Sequence, residues 1–457
     1  MSKKSGGIVV LAGLCALSLF LLSCGTSSSR PSGLLYVLTQ GSTGIGNNIS
    51  SYSIDLSSGE LSLVNSNASA CPTAPTQNNP SPCGPPMDIV LDSTGATAFV
   101  LDQGISSAMI APVIYSFPIG SDGSLGGSTV AATLTTGDTP VSIVRDATGQ
   151  FLIAITAGYF PPPTDCPLTG STSAGFAGCP SVSVYTISSG ALTLAAGSPF
   201  YVSKIPTALS TVTFTPTGST TSQELLFVTN NQDIYVCSGV CTPHDNTVSV
   251  YALSSSGTFQ EQILSPYEID APNPVSVIAV NTNQSSQTAS GGVFVYVGNN
   301  GSTGDINPFQ VCTTQNPACT LPEVQENLMT PLLQSCSQPP CNPVAPTAAG
   351  QNPTAMVLDP TDNFLYSISN GSNQVFGFKV NTTTGTLSAQ SPATQPTGSQ
   401  PVSIALHPSV NNTGQFLFVS NSNSDNVSAF SLNTTSGSMS NPSTVVTPAT
   451  PSGLAAR

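Results

Sequence analysis

The chain has no tryptophan, only two histidines, and charged side chains at just 6% of its positions. Each shortage excludes something. With so few ions, hydroxyl and amide side chains must cover the surface, while 39% hydrophobic residues suffice for a packed core and argue against disorder over most of the length. Seven Lys and Arg stand against 21 Asp and Glu, a balance that repels phosphate backbones and excludes nucleic acid as a partner. The two histidines are His244 and His407, and no Cys-x-x-Cys occurs, so a zinc site is not expected. No Gly-x-Ser-x-Gly elbow, P-loop or His-Glu-x-x-His is present, which leaves serine-hydrolase, nucleotide and zinc-protease chemistry without support. Loops such as Asn421–Asn426 lack the regular ligand spacing of a calcium loop. Neither metal nor cofactor is expected.

Long apolar runs are also missing, with one exception at the start. Lys3 and Lys4 precede an apolar stretch from Ile8 to Leu22, too short to span a bilayer comfortably, and Leu21-Leu22-Ser23-Cys24 follows. That tetrapeptide resembles a bacterial lipobox. The resemblance implies a signal peptide over 1–23, acylation of Cys24 as the mature N-terminus, and a lipidated tether over 24–33. Gly25, rather than Asp, follows the cysteine, which by the usual sorting pattern of such proteins favours the outer membrane, on its periplasmic side or at the cell surface. The membrane contact would run through lipid at Cys24, and the protein is expected to be a monomer.

Cys15 leaves with the leader, and ten further cysteines fall into sequence-local couples: Cys71 with Cys83, Cys166 with Cys179, Cys237 with Cys241, Cys312 with Cys319, and Cys336 with Cys341. In an oxidising compartment such couples read as loop-stapling disulfides, though spacing alone does not fix connectivity.

Proline and glycine are plentiful, at 39 and 40 residues, and they punctuate a recurring unit. It runs Pro-x-x-Ile-x-x-Asp-x-x-Gly, an apolar strand, a loop, then Val-x-x-Tyr-x-Ile and Ser-Gly-x-Leu. Copies begin near Pro86, Pro140, Ser210, Pro274, Pro353 and Pro401. Each supplies three or four short strands of an antiparallel meander, and one such sheet cannot cover both its faces, so radial stacking is predicted. The stretch opening at Leu34 is a unit without its first strand, and Pro451–Ala456 has the look of that missing strand. The prediction is an all-β, seven-bladed β-propeller over 34–457, closed by a C-terminal strand that completes the N-terminal blade. The segment from Cys312 to Gly350 stays open between an outer strand and a short helix.

The segments FLFVSN at Phe416–Asn421, LFVTN at Leu226–Asn230 and VYVGN at Val295–Asn299 resemble the YVTN-type repeats of seven-bladed propellers. The set is similar to the lactonase-like group related to 6-phosphogluconolactonase. Absence of Trp disfavours the tryptophan-aspartate type. The resemblance implies a site at the channel opening where a His, an Arg and an acidic residue polarise a lactone carbonyl and handle the proton of the attacking water. This chain departs from that pattern: the places beside the inner-strand prolines hold Met87, Val141, Val275, Thr354 and Val402, not His. His407 replaces Asp92, Asp146 and Asp359 as a turn residue. Arg145 stands where Leu91, Leu358 and Leu406 stand elsewhere, and Asp88 in the neighbouring blade is its candidate partner across the channel.

The largest insertions are predicted on one face: the Cys71–Cys83 loop, Gly158–Pro180 with Tyr159 and Phe160, and Asn230–Asn246 with His244. Stapled loops on a rigid scaffold suit recognition. Two classes therefore stay open. The residues favour a non-catalytic envelope scaffold that presents one face to a protein or glycan. The alternative is a lactonase-like hydrolase acting on a sugar or acyl lactone at the central channel, with Arg145 and Asp88 as the channel candidates.

Overall fold

The computed structural model describes residues 33–41, 48–69, 83–105, 110–135, 138–158, 178–202, 204–214, 222–233, 246–262, 265–269, 273–282, 292–301, 303–311, 329–331, 343–408 and 414–457. Its strands form seven antiparallel sheets. Blade 1 has the C-terminal strand Thr450–Ala456 innermost, followed outward by Leu34–Gln40, Asn48–Ile54 and Leu61–Ser69. The innermost strands of blades 2 to 7 are Pro86–Leu91, Pro140–Arg145, Lys204–Phe214, Pro274–Asn281, Pro353–Leu358 and Pro401–His407. Their second strands are Thr97–Asp102, Phe151–Thr156, Gln223–Asp233, Val293–Asn299, Phe364–Ser369 and Gln415–Asn421. The fourth blade starts at Lys204, earlier than the unit predicted near Ser210.

Closure follows the predicted route. Leu35, Tyr36 and Val37 pair with Ala456, Ala455 and Leu454, and the amides and carbonyls of Leu34 and Arg457 bond reciprocally at 3.0 and 2.9 Å. The second strands are mostly apolar on both faces because a neighbouring blade covers each; those of blades 2, 3 and 6 are buried at every position. One apolar cluster fills each junction between successive blades, including the one joining blade 7 to blade 1 through Phe418, Val37 and Leu454. Each fully buried Phe or Tyr there contributes roughly 2–3 kcal/mol of transfer free energy.

Hydrogen bonds lock the same junctions. Tyr36, Tyr296 and Tyr366 on second strands each donate their hydroxyl to the carbonyl of a turn glycine in the next blade: Gly123 at 3.0 Å, Gly385 at 2.9 Å and Gly437 at 2.7 Å. These glycines have positive φ. The Gly of the Ser-Gly-x-Leu motif thus turns its own chain and seats on its neighbour.

Blades 3, 4 and 5 carry their fourth strand in two pieces: Ala191–Leu194 with Phe200–Tyr201, Phe259–Glu261 with Tyr267–Glu268, and Met329–Pro331 with Thr347–Ala348. The last pair answers the open question over 312–350 in favour of an outer strand where that segment is described. In blades 3 and 4 the break falls at a Ser-Pro, and the Ser198 and Ser265 hydroxyls accept the third-strand amides of Val184 and Val250, at 3.1 and 2.9 Å, in place of a ladder rung.

The innermost strands begin on one face of the disc, here the proline face, and end on the other, the turn face. The described strand ends on either side of 70–82, 159–177 and 234–245 all lie at the proline face, where the sequence places its largest insertions.

Candidate functional site

Every innermost strand has a register shift immediately after its proline. The extra residue at each bulge is Ser452, Met87, Val141, Thr207, Val275, Thr354 or Val402. Bulges re-aim side chains at sheet rims, so this ring marks the channel mouth on the proline face. Its hydroxyls are committed to neighbouring blades: Thr207, Thr354 and Ser452 donate to the carbonyls of Pro274, Pro401 and Pro86 at 2.7, 3.4 and 2.9 Å. None of the seven places holds the histidine that the resemblance to lactonases implies.

Asp88 and Arg145 are not brought together. Asp88 accepts Ser142 Oγ at 2.6 Å and the amides of Ile143 and Ile89 at 3.0 and 2.9 Å. It closes the open backbone edge of blade 3, and burial pushes its carboxyl upward against those three bonds. Arg145 donates Nη1 to the carbonyl of Leu91 at 3.2 Å, at the far end of its strand on the turn face. The predicted cross-channel pair is therefore corrected to two separate contacts between blades 2 and 3. His407 ends the innermost strand of blade 7, fully buried, its ring 6.4 Å from that of Phe416. Tyr159, Phe160, His244 and Cys24 lie outside the described residues, as do Cys71, Cys166, Cys237, Cys241, Cys312, Cys319, Cys336 and Cys341. Cys83 and Cys179 are each disulfide-bonded.

The structure draws attention to carboxyls that the sequence reading passed over. A ring of buried polar side chains ends the second strands: Thr39, Asp102, Thr156, Asn230, Asn299, Ser369 and Asn421, none more than 1% exposed. Six are neutral. Asp102 is the exception: its Oδ1 accepts the amides of Gly84 and Gly104 at 2.9 and 2.8 Å, while Oδ2 is buried without a hydrogen-bond partner. Burial outweighs the two amides and raises this carboxyl to about 7. In blade 3, Asp138, just before the innermost strand, accepts from the Gly178 amide and the Thr135 hydroxyl and is pushed up to about 6, again by burial. Its Oδ1 is likewise buried without a partner. Gly84 and Gly178 adjoin the disulfide-bonded Cys83 and Cys179, so each acid holds the backbone beside one of these cysteines on the proline face.

A third place lies on the turn face. Glu224 of blade 4 accepts the Ala147 amide at 2.9 Å and bonds Asp146 of blade 3. Both are buried, and burial, then the Asp146 charge, drives the Glu224 carboxyl upward. Asp146 is itself held by the Phe151 amide at 2.6 Å and by Thr148.

Among the described residues, the carboxyls pushed up by burial, Asp88, Asp102, Asp138 and Glu224, thus sit in blades 2 to 4. Blades 6 and 7 keep the regular repeat. Groups shifted in this way are candidates for proton transfer. Among the described residues no group of three or more His, Cys, Asp or Glu could hold a metal ion. Asp102 had a signal in the sequence, an acid where the repeat elsewhere has Asn, Ser or Thr. The Asp146–Glu224 contact had none, because it joins different blades.

Residues 331–452 match the family model for the lactonase seven-bladed β-propeller. No curated protein matches the chain. Among solved structures, a candidate 6-phosphogluconolactonase of Bacteroides fragilis is 14% identical, with a TM-score of 0.58 over 94% of this chain and 99% of that one. The periplasmic gluconolactonase PpgL of Pseudomonas aeruginosa is also 14% identical, with a TM-score of 0.55 over 93% and 98%. A protein from Lactobacillus plantarum is 17% identical, with a TM-score of 0.54 over 93% and 99%. At these identities the likeness establishes architecture alone. The chain is a seven-bladed β-propeller, similar in sequence to the lactonase family model over residues 331–452 and in fold, over nearly its whole length, to solved structures of the same architecture.

Proposed function

We propose that the chain is an exported, lipid-anchored hydrolase acting on a sugar or acyl lactone at the proline-face mouth of the channel, in the sector of blades 2 and 3. The carrying observation is Asp138: a carboxyl near neutrality with one oxygen unsatisfied, two residues before an innermost-strand proline. Ionised Asp138 would take a proton from water as the water oxygen adds to the lactone carbonyl carbon. The ring C–O bond then breaks and the departing alkoxide recovers the proton, giving the hydroxy acid. The match to a lactonase family model and the fold shared with a gluconolactonase support this reading over that of a purely structural propeller.

The test is turnover of a panel of sugar and acyl lactones by the purified protein, wild type against Asp138→Asn. A loss of about 10²-fold or more is expected. Absence of turnover by the wild type on every lactone would remove the hydrolase reading in favour of a scaffold that presents the same face to a protein or glycan. For the anchor, a precursor that fails to accumulate under globomycin would count against acylation at Cys24. Each of the five cysteine couples, those of the disulfide-bonded Cys83 and Cys179 included, is proposed to staple its own loop.

A further inference from the structure

The fold decides where a tether at the N-terminus can leave the disc. Gly33, the first described residue, accepts the Ile54 amide at 3.0 Å, and Leu34 pairs with Arg457. A Cβ at Gly33 would lie 3.1 Å from Nε2 of His407, the last residue of the innermost strand in blade 7. All of these groups are on the turn face, at the junction of blades 7 and 1. The chain therefore enters the propeller from the face opposite the stapled insertions and the Asp102 and Asp138 rim.

From these positions we infer that the anchored protein holds its turn face toward the bilayer and its proline face away from it, open to soluble ligands. This rests on the proposed acylation of Cys24. Eight residues separate Cys24 from Gly33, nine residue-to-residue steps with a fully extended reach of roughly 30 Å. A seven-residue strand spans roughly 20 Å, and the third and fourth strands of blade 1 add roughly 10 Å of width beyond the strand that begins at Leu34. Bringing the proline face onto the membrane would use the whole tether with nothing left for the two corners it must turn. Holding the turn face toward the lipid needs no detour.

Charge sets how closely that face approaches. Asp55 and Glu60 in the turn of blade 1 and Asp122 in that of blade 2 are exposed on the turn face near the tether exit. Hydrogen bonds from Ser57 keep the Asp55 carboxyl below its ordinary range, and Ser124 does the same for Asp122. These charges repel anionic headgroups over roughly a Debye length, about 8–10 Å. The disc hangs from its lipid and does not adsorb.

The test uses the full chain, processed in a lipoprotein-competent bacterium and reconstituted into phosphatidylcholine vesicles carrying a rhodamine headgroup acceptor. A donor dye is placed on an azido-phenylalanine replacing either Asn423 or Thr434. Both positions are exposed, at opposite ends of the same strand, Asn426–Leu432 of blade 7. Energy transfer should place position 434 nearer the lipid by up to roughly 20 Å, the length of that strand. Equal transfer from both positions, or a reversed order, in a protein whose mass shows the acyl groups overturns the orientation while leaving the anchor intact. A mass without acyl groups, and vesicle binding no different from Cys24→Ala, overturns the anchor and the orientation together.

Discussion

At the scale of single residues, the buried carboxyls make the protein's stability depend on pH in an unusual direction. Asp102 and Asp138 hold their protons up to about 7 and about 6 in the fold, against an ordinary value of 3.8. The folded state therefore binds more protons than the unfolded chain between about pH 4 and 7, and stability falls as pH rises through that window. Glu224 acts in the same direction above its ordinary 4.5. Thermal unfolding should give a higher Tm at pH 5 than at pH 8, whereas a protein relying on paired carboxylates shows the reverse. Asp102→Asn should reduce the slope and stabilise the fold at pH 8 by about 1–3 kcal/mol. The amide has a ready place: at the same position Asn230, Asn299 and Asn421 donate to the carbonyls of Val228, Val297 and Val419 at 3.2 to 3.4 Å. A denaturant titration at both pH values checks this, and destabilisation of equal size at pH 5 and pH 8 would rule out the carboxyl as the cause. For the channel, Arg145→Leu copies the residue that blades 2, 6 and 7 carry at this place. Because the Arg145 bond to Leu91 lies at the turn-face end of its strand, away from the proline-face mouth, lactone turnover by this variant should stay within about threefold of wild type, well inside the loss expected on removing a true base.

At the scale of elements, the repeat motif was legible as turn and strand, but its role between blades was not. Ser-Gly-x-Leu reads as a tight turn from its glycine alone. That the glycine carbonyl receives a tyrosine from the preceding blade depends on stacking, which no single repeat shows. Gly437 has φ of 73°, and a Cβ there would lie 2.3 Å from Cδ1 of Phe364. Gly437→Ala meets both backbone strain and a rigid ring, so a loss of about 2–4 kcal/mol is expected. Tyr366→Phe keeps the packing and removes only the 2.7 Å bond to Gly437, which predicts a loss of about 1–2 kcal/mol. If urea unfolding gave the two variants equal losses, the close packing at Gly437 would carry no weight of its own. The same limit on local reading explains the candidate site. Arg145 stood out as the odd residue within aligned strands, with Asp88 as its candidate partner, yet the partners they take, Leu91 and Ser142, are chosen by the rotation from one blade to the next.

At the scale of the whole molecule, closure was the most legible feature, because it follows from bookkeeping on the repeat: an opening unit lacking one strand and a closing fragment that matches it. Its energetic consequence is testable. The strand Thr450–Ala456 gives Leu454 to the cluster between blades 7 and 1 and Ala455 to the cluster between blades 1 and 2. It also pairs the edge of Leu34–Gln40, and Arg457 extends to blade 2 through a 2.6 Å bond from Nη1 to the Gly95 carbonyl. Removing 450–457 therefore opens two junctions at once and leaves a long apolar strand edge unpaired, a template for association. The loss, on the order of 5 kcal/mol or more, is comparable with the whole stability of an ordinary domain. The truncated chain should lose its cooperative thermal transition and elute as aggregates on size exclusion, while Arg457→Ala alone should lower stability by only about 1 kcal/mol and stay monomeric. A truncated protein that remained monomeric with an unchanged Tm would mean that the six complete blades support one another without a ring, and the coupling of the two chain ends would then be decoration on a self-sufficient stack.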